Sequence, residues 1–269
     1  MHSDSVWLGS FRRPVKLAMT GSILAAIGIF AVMVLGKLTG MGSSGMYEMV
    51  RPSGRPIVQA MLVSFCAAVV LSAVYLSDTK GEIEPPRTGP MDILSLILSR
   101  IAMIATIGIV CAMFYEVVAR YVFERPTLWA NELSLWIAGF VLLFAGQYAM
   151  QQRSHIRIYV IYDIMPRWMQ KFSDCLSVAM IWLFAGATVW GAYNEAMQKL
   201  ARMETFGTAW DPPLPATMKI SILIVVCLVA LQALSNLIAD WHKVPEAHNP
   251  ADEIDEAEIE KLKKTLGAN

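Results

Sequence analysis

Charge is scarce in this sequence. Lys, Arg, Asp and Glu make up 16% of its 269 residues, where an ordinary soluble domain has about a quarter. The 22 basic and 22 acidic side chains cancel, so there is no broad basic field for nucleic acid and no acidic surface for basic partners. No nucleic-acid partner is expected. Cysteine is sparse too: Cys66, Cys111, Cys175 and Cys227 stand at least 45 positions apart and make neither a CxxC pair nor a Cys/His grid, which leaves them as small apolar residues. The four histidines, His2, His155, His242 and His248, all fall outside the long apolar runs, whereas a haem held between helices needs imidazoles inside them. There is no Walker A loop, GxSxG elbow, HExxH helix or di-metal carboxylate cluster. Neither catalysis nor a bound cofactor or metal is expected of this chain.

What is abundant is apolar sequence, 56% of residues, with a mean hydropathy of +0.49. Crossing about 30 Å of hydrocarbon at about 1.5 Å per residue takes about 20 mostly apolar residues in a helix. Uncharged stretches of 20 residues lie between Lys16 and Lys37, Glu132 and Arg153, Asp174 and Glu195, and Lys219 and Asp240, and one of 22 lies between Arg55 and Asp78. A sixth run, from Ile101 through Tyr115, has polar ends, with Arg100 before it and Glu116 and Arg120 after it. These runs are about twice as long as a barrel strand needs and lack strict alternation, so they are read as helices, which satisfy their own backbone. The expected fold is an all-α integral membrane bundle of six spans. Thirteen Lys and Arg flank the spans on the side of the two termini and eight on the other, Arg100 aside, which puts both termini in the cytoplasm.

The segment from Ser77 to Pro90, SDTKGEIEPPRTGP, is charged and rich in Pro and Gly and reads as a solvated linker. It separates a two-span hairpin, residues 1–77, from a four-span core, residues 92–241, with 78–91 as a cytoplasmic linker and 242–269 as a cytoplasmic tail. Arg12, Arg13 and Lys16 precede the first run, which is long for a signal peptide and is taken as an uncleaved anchor. Residues 153–171 mix isoleucines and aromatics with four basic residues, as expected of a helix lying along the membrane surface between spans four and five. Residues 252–264, acidic early and basic late, suit a short helix, either merely solvated or a docking element.

The polar-ended span leads into EVVARYVFERPTLWANELSLW, residues 116–136. Glu116 and Arg120, four apart, share a helix face, where each eases the other's placement near hydrocarbon. Pro126 ends that helix or starts the turn, Trp129 and Trp136 suit the membrane interface, and Glu132 sits at the start of the next helix, where its charge favours the dipole. Residues 204–219, ETFGTAWDPPLPATMK, read as a stiff, extended connector.

The run Arg120, Tyr121, Phe123, Pro126, Trp129 and Glu132 resembles the signature of the DctQ-type small membrane subunit of tripartite ATP-independent periplasmic (TRAP) transporters. Gly139 and Gly146 in the next span, the HIRI segment from His155 followed by Asp163, and a proline-rich loop before Lys219 agree with it. The resemblance covers about residues 92–241. The hairpin over residues 17–77 departs from the family's four-span core, and Asp163 stands eight positions beyond His155, farther than in the family's short His-Ile-x-Val-Asp element.

The resemblance implies a subunit of a bacterial inner-membrane assembly in which a periplasmic binding protein captures a substrate, often an organic acid. The captured substrate passes to a large, DctM-type multi-span permease driven by a sodium gradient. The small subunit helps hold the large one in the lipid bilayer. On this reading Arg100, Glu116, Arg120 and Glu132 brace helix ends or bind the large subunit. For Arg100, snorkelling to anionic lipid headgroups is an equal alternative. Gly139 and Gly146 permit a close helix crossing inside the bundle or with the large subunit, and Trp129 is a further structural or subunit-interface residue. Trp210 and Asp211 either touch the periplasmic binding protein or belong to a plain connector. Rival readings are an anchor subunit of a membrane redox complex and a self-sufficient channel or carrier.

Overall fold

The computed structural model of the chain describes residues 5–40, 45–79, 89–153, 162 and 165–242. A 3₁₀ turn, Gly9–Phe11, leads into α1 (Arg12–Leu38), followed by the short α2 (Met46–Val50), α3 (Pro56–Ser77), α4 (Pro90–Tyr121), α5 (Ala130–Gln151), α6 (Arg167–Ala201) and α7 (Leu214–Asp240). All but α2 are long and apolar enough to cross a membrane, and among the described residues there is no strand. The all-α, six-span expectation is met. The surface helix expected between spans four and five falls mostly on residues 154–161, 163 and 164, and the acidic-to-basic tail helix on 252–264, all outside the described residues, as are most of the linker and of the tail.

Local sequence sets where the helices begin. Pro56 and Pro90 occupy first helical positions, where a missing N–H costs nothing and the fixed φ is already helical. The third span starts eleven residues earlier than Ile101, the start that hydropathy gives, because its first turns are polar yet turn inward. The Ser95 hydroxyl donates to the Gln147 carbonyl at 3.2 Å, and the Gln232 amide donates to Asp92 Oδ1 at 2.7 Å. With 32 and 35 residues, α4 and α6 are about 48 and 52 Å long, longer than the hydrocarbon is thick, so they tilt or project beyond it.

The spans do not close into a bundle. Among the described residues they form an open row in the order α1, α3, α4, α5, α7, α6, in which α4 also meets α7. Along the row α5 and α7 run in the same direction. Trp136 meets Thr217, Met150 meets Asn236 and Arg153 meets Asp240, so residue numbers rise together in both helices. The row has a terminal end, carrying residues 5–11, 78 and 242, and a motif end, carrying the loops around residues 51, 125 and 208.

In lipid no hydrophobic force separates a buried leucine from one facing the tails, so helix contact depends on close backbone approach. Among the described residues, eleven of the eighteen buried apolar residues are alanines, Ala102, Ala119, Ala216 and Ala233 among them. The bulky residues point outward instead: Leu24, Phe30, Leu183, Phe184 and Trp190 are exposed, as expected where the surroundings are hydrocarbon.

At the terminal end one carboxylate fastens the start of the chain. Asp78, fully buried just past α3, accepts the N–H groups of Val6, Trp7 and Leu8 on Oδ1 at 3.0, 2.8 and 2.9 Å, and Arg12 Nη1 on Oδ2 at 3.0 Å. Gly9, at φ +52°, turns the chain from these converging amides into α1, a conformation open to glycine because it lacks Cβ. Three successive N–H groups aimed at one point make an anion nest. Arg12 also lies over the Tyr75 ring at 5.2 Å. Burial alone raises the Asp78 pKa, but the Leu8 and Trp7 amides, the Ser5 hydroxyl and the Arg12 charge outweigh it and hold the carboxyl below the usual carboxylate range.

A depressed folded pKa means that this clamp is fully stabilising above the unfolded value of about 3.9 and is lost as pH falls through the lower, folded value. Hydrogen exchange of the amides of residues 6–8, corrected for intrinsic rate, is therefore expected to show constant protection from neutral pH to about pH 4, with protection lost below that. Asp78→Ala, which leaves the three amides no acceptor, is expected to abolish the protection at every pH and to cost about 2 kcal/mol.

Candidate functional site

At the motif end, the loop between α4 and α5 is folded around Glu116. This side chain is buried and accepts Arg120 Nε at 3.0 Å and the Thr127 N–H at 2.9 Å, together with Arg120 Nη2 and the Thr127 hydroxyl. The helix ends at Tyr121, before Pro126. The Arg125 N–H reaches back to the Ala119 carbonyl at 2.9 Å, and Glu124 takes φ +52° to make the turn. Thr127 Oγ1 in turn accepts the Ala130 N–H at the start of α5 at 3.4 Å. The Trp129 ring stacks on Tyr115 with centroids 5.7 Å apart. Tyr121 and Phe123 are exposed, so the signature divides into residues that close the loop and aromatics that face outward.

The loop between α6 and α7 lies over the same end. It is not the extended connector that its prolines suggest: Met203, Gly207 and Asp211 all have positive φ, and the Phe206 N–H donates to the Pro212 carbonyl at 3.0 Å, so the segment doubles back on itself. Asp211 holds the turn by accepting the Gly207 N–H at 2.8 Å and pairs with Arg51 at 2.9 Å. The Gly207 amide first, then the Thr205 hydroxyl and Arg51, keep its carboxyl below the usual range against the opposing effect of burial. Trp210 is only 3% exposed. Its indole N–H donates to the Met46 carbonyl at 2.9 Å, and its ring meets Trp136 edge-on at 6.4 Å. Its side chain is thus engaged within the chain, tying the last loop to the N-terminal hairpin, while Asp211 keeps a partly open edge. Glu132 belongs to the same assembly, accepting the Thr208 hydroxyl at 2.6 Å, and Trp136 Nε1 donates to Thr217 at 2.8 Å. Lys219 pairs with Glu195, joining α7 to α6, and Lys199 reaches Glu204 at 2.7 Å.

Glu116, Arg120, Trp129, Glu132, Trp210 and Asp211 therefore gather at one end of the row. Arg100 does not join them. It lies sixteen residues before Glu116 on α4, about 24 Å along the helix, with Nη1 3.5 Å from Met103 Sδ. The two glycines also part company. A Cβ on Gly139 would come within 2.7 Å of Met218 Sδ, so this glycine seats α5 against α7, whereas Gly146 is exposed with nothing within 4 Å.

Several residues that hold this arrangement carry no motif: Arg51 and Met46 in the hairpin loop, Thr127 and Thr208. The readable signal that went unused lies at the other end. Asp92, Ser95 and Ser99, then Gln147 and Gln151, then Gln232 and Asn236, are polar at helical spacing inside otherwise apolar helices, a pattern that marks an inward face in lipid. Through Arg120 and Thr127, Glu116 ties the end of α4 to the start of α5. Among the described residues no group of three or more His, Cys, Asp or Glu stands ready to hold a metal.

The brace makes an asymmetric prediction. Glu116→Ala strands buried donors and is expected to lower stability by about 3 kcal/mol, whereas Arg120→Ala removes a half-exposed partner and should cost about 1 kcal/mol or less; thermal unfolding of the purified chain in detergent checks both. Gly139→Leu is expected to cost about 3 kcal/mol through overpacking against Met218, and Gly146→Leu less than about 0.5 kcal/mol in the isolated chain. The same melts measure these.

Comparison with known families places this geometry. Residues 109–243, half of the chain, match the family described as "Tripartite ATP-independent periplasmic transporters, DctQ component". The match runs from the middle of α4 to just past α7 and takes in the whole motif end of the core, leaving α1 to α3 outside. No curated protein and no solved structure matches. The chain belongs to the DctQ family and is the small membrane component of a TRAP transporter.

Proposed function

We propose that this chain is a scaffold subunit that holds a large, DctM-type permease in the bacterial inner membrane. In this reading the assembly moves an organic acid, delivered by a periplasmic binding protein and driven by a sodium gradient, and both termini of this chain lie in the cytoplasm. The observation that carries the scaffold reading is the helix order. An open row encloses no lumen, and a solute path through a bilayer needs protein on all sides. This supports placing the path in a partner that lies against the row. The distribution of Lys and Arg, thirteen on the terminal side against eight on the other, supports the orientation. It turns the motif end, with Asp211 and the exposed aromatics Tyr121 and Phe123, toward the periplasm, within reach of a docked binding protein. Gly146, open on α5, is proposed to face the large subunit, where a missing side chain permits close approach.

A tagged full-length chain drawn from native membranes is expected to bring with it a large multi-span protein and a periplasmic protein. In liposomes under an inward sodium gradient, organic acid uptake is expected only when those partners are present. Uptake by this chain alone would overturn the reading.

A further inference from the structure

Toward the terminal end, α4, α5 and α7 meet in a layer of polar side chains that lipid cannot satisfy. Asp92, Ser95, Gln147, Gln151 and Gln232 are all buried there. Part of the layer is closed by hydrogen bonds. Gln232 Nε2 donates to Asp92 Oδ1 at 2.7 Å and to Asn236 Oδ1 at 3.0 Å, Asn236 Nδ2 donates to the Met150 carbonyl at 2.8 Å, and Ser95 Oγ donates to the Gln147 carbonyl at 3.2 Å. Because α5 and α7 run in the same direction and Asn236 meets Met150, the helical rise sets Gln147 about 4.5 Å and Gln232 about 6 Å above that contact. The two glutamines thus stand at nearly the same height.

Among the described residues, both amide atoms of Gln147 and Oε1 of Gln232 have no hydrogen-bond partner, although both residues are completely buried. Native interiors seldom leave such groups unmet. We infer that this layer is a water site, with one or two buried waters linking Gln147 to Gln232. The chemistry of the three atoms selects water over an ion. They comprise two acceptors and one donor, and exchanging the amide's oxygen and nitrogen leaves that composition of the Gln147 pair unchanged. A cation would satisfy the oxygens and be repelled by the N–H, whereas water accepts from one and donates to the others. Three polar atoms also match the about three hydrogen bonds that a buried water makes. The contact of α5 with α7 is then hydrated at this level and dry at Gly139 and Met218. The inference concerns packing within this chain and stands apart from the transport reading.

Millisecond hydroxyl-radical footprinting of the full-length chain in phosphatidylethanolamine and phosphatidylglycerol nanodiscs tests it. Radicals form from the waters present, so a buried side chain beside a trapped water is labelled and one in a dry contact is not. Met150, buried one turn from Gln147, is expected to be labelled severalfold faster than buried Leu223 on α7 after correction for intrinsic reactivity. Gln147→Leu, which removes two of the three polar atoms, is expected to reduce Met150 labelling severalfold. Met150 labelling as slow as that of Leu223, or labelling unchanged in a folded Gln147→Leu chain, would overturn the water site. If the variant does not fold, the contrast between Met150 and Leu223 in the unaltered chain decides.

Discussion

A helix in hydrocarbon gains nothing by hiding a leucine, and it loses heavily by leaving an amide or a carboxylate unpaired. The rest of this structure depends on that constraint. The sides of the spans meet through alanines and one glycine, which add close contact but little directional hold. Direction comes from polar groups: the Asp78 nest at the terminal end, the Asp92 and Gln232 layer above it, and the Glu116 loop with the Trp210 tie at the motif end. These groups fix register, because a helix that slides by one residue breaks each of them at once. Alanine contacts alone would tolerate the slip.

The same logic explains the residue types in the loop between α4 and α5. A loop that leaves the membrane after a long helix and re-enters within eight residues has backbone N–H groups to satisfy at the edge of the hydrocarbon. Glu116 supplies acceptors, Thr127 both accepts and donates, and Arg120 balances the charge while keeping half of its own surface in the interface. The stack of Trp129 on Tyr115 closes the apolar side of the turn. The outward aromatics, Tyr121 and Phe123, contribute nothing to this closure. Their presence in the signature is accounted for by whatever lies beside the loop, lipid headgroup or protein.

Hydropathy was enough to place five of the six spans and to exclude strands, because length and the absence of charge are properties of a single helix. The arrangement of the spans was not legible in the same way. An open row and a closed bundle draw on similar hydropathy, and only the pairing of particular residues, Trp136 with Thr217 or Arg153 with Asp240, separates them. Hydropathy starts the third span at Ile101, just past Arg100, and leaves out Asp92, Ser95 and Ser99, which are polar when taken one by one. Their spacing of three and four shows that they share a face, and that face is inside. The Glu116 and Arg120 pair was legible because a spacing of four implies contact within one helix. The contacts of Trp210 with Met46 and of Asp211 with Arg51 join residues about 160 positions apart, which no local pattern encodes. Positive φ at Met203 and Asp211, on residues that usually avoid it, likewise hid the folded shape of a loop whose prolines point to extension.

The N-terminal hairpin lies outside the family-matched region, and its polar contacts at the two ends of the row differ in kind. At the terminal end a buried carboxylate gathers three amides and a guanidinium, a directional lock inside the hairpin that fixes where α1 begins relative to α3. At the motif end the visible ion pair is the weaker part, since the Arg51 side chain is 70% exposed and a pair so open to water contributes less than about 1 kcal/mol. The buried Trp210 ring removes about 200 Å² from water, worth about 5 kcal/mol at most, and its indole N–H is directed at one carbonyl of the hairpin loop. The hairpin's hold on the core at this end therefore rests on an aromatic plug. A plug at the motif end, together with the contact of α3 on α4, fixes the tilt of the hairpin as well as its position, because a pair of helices anchored at only one height is free to lean. The two hairpin spans thus extend the row beyond α4.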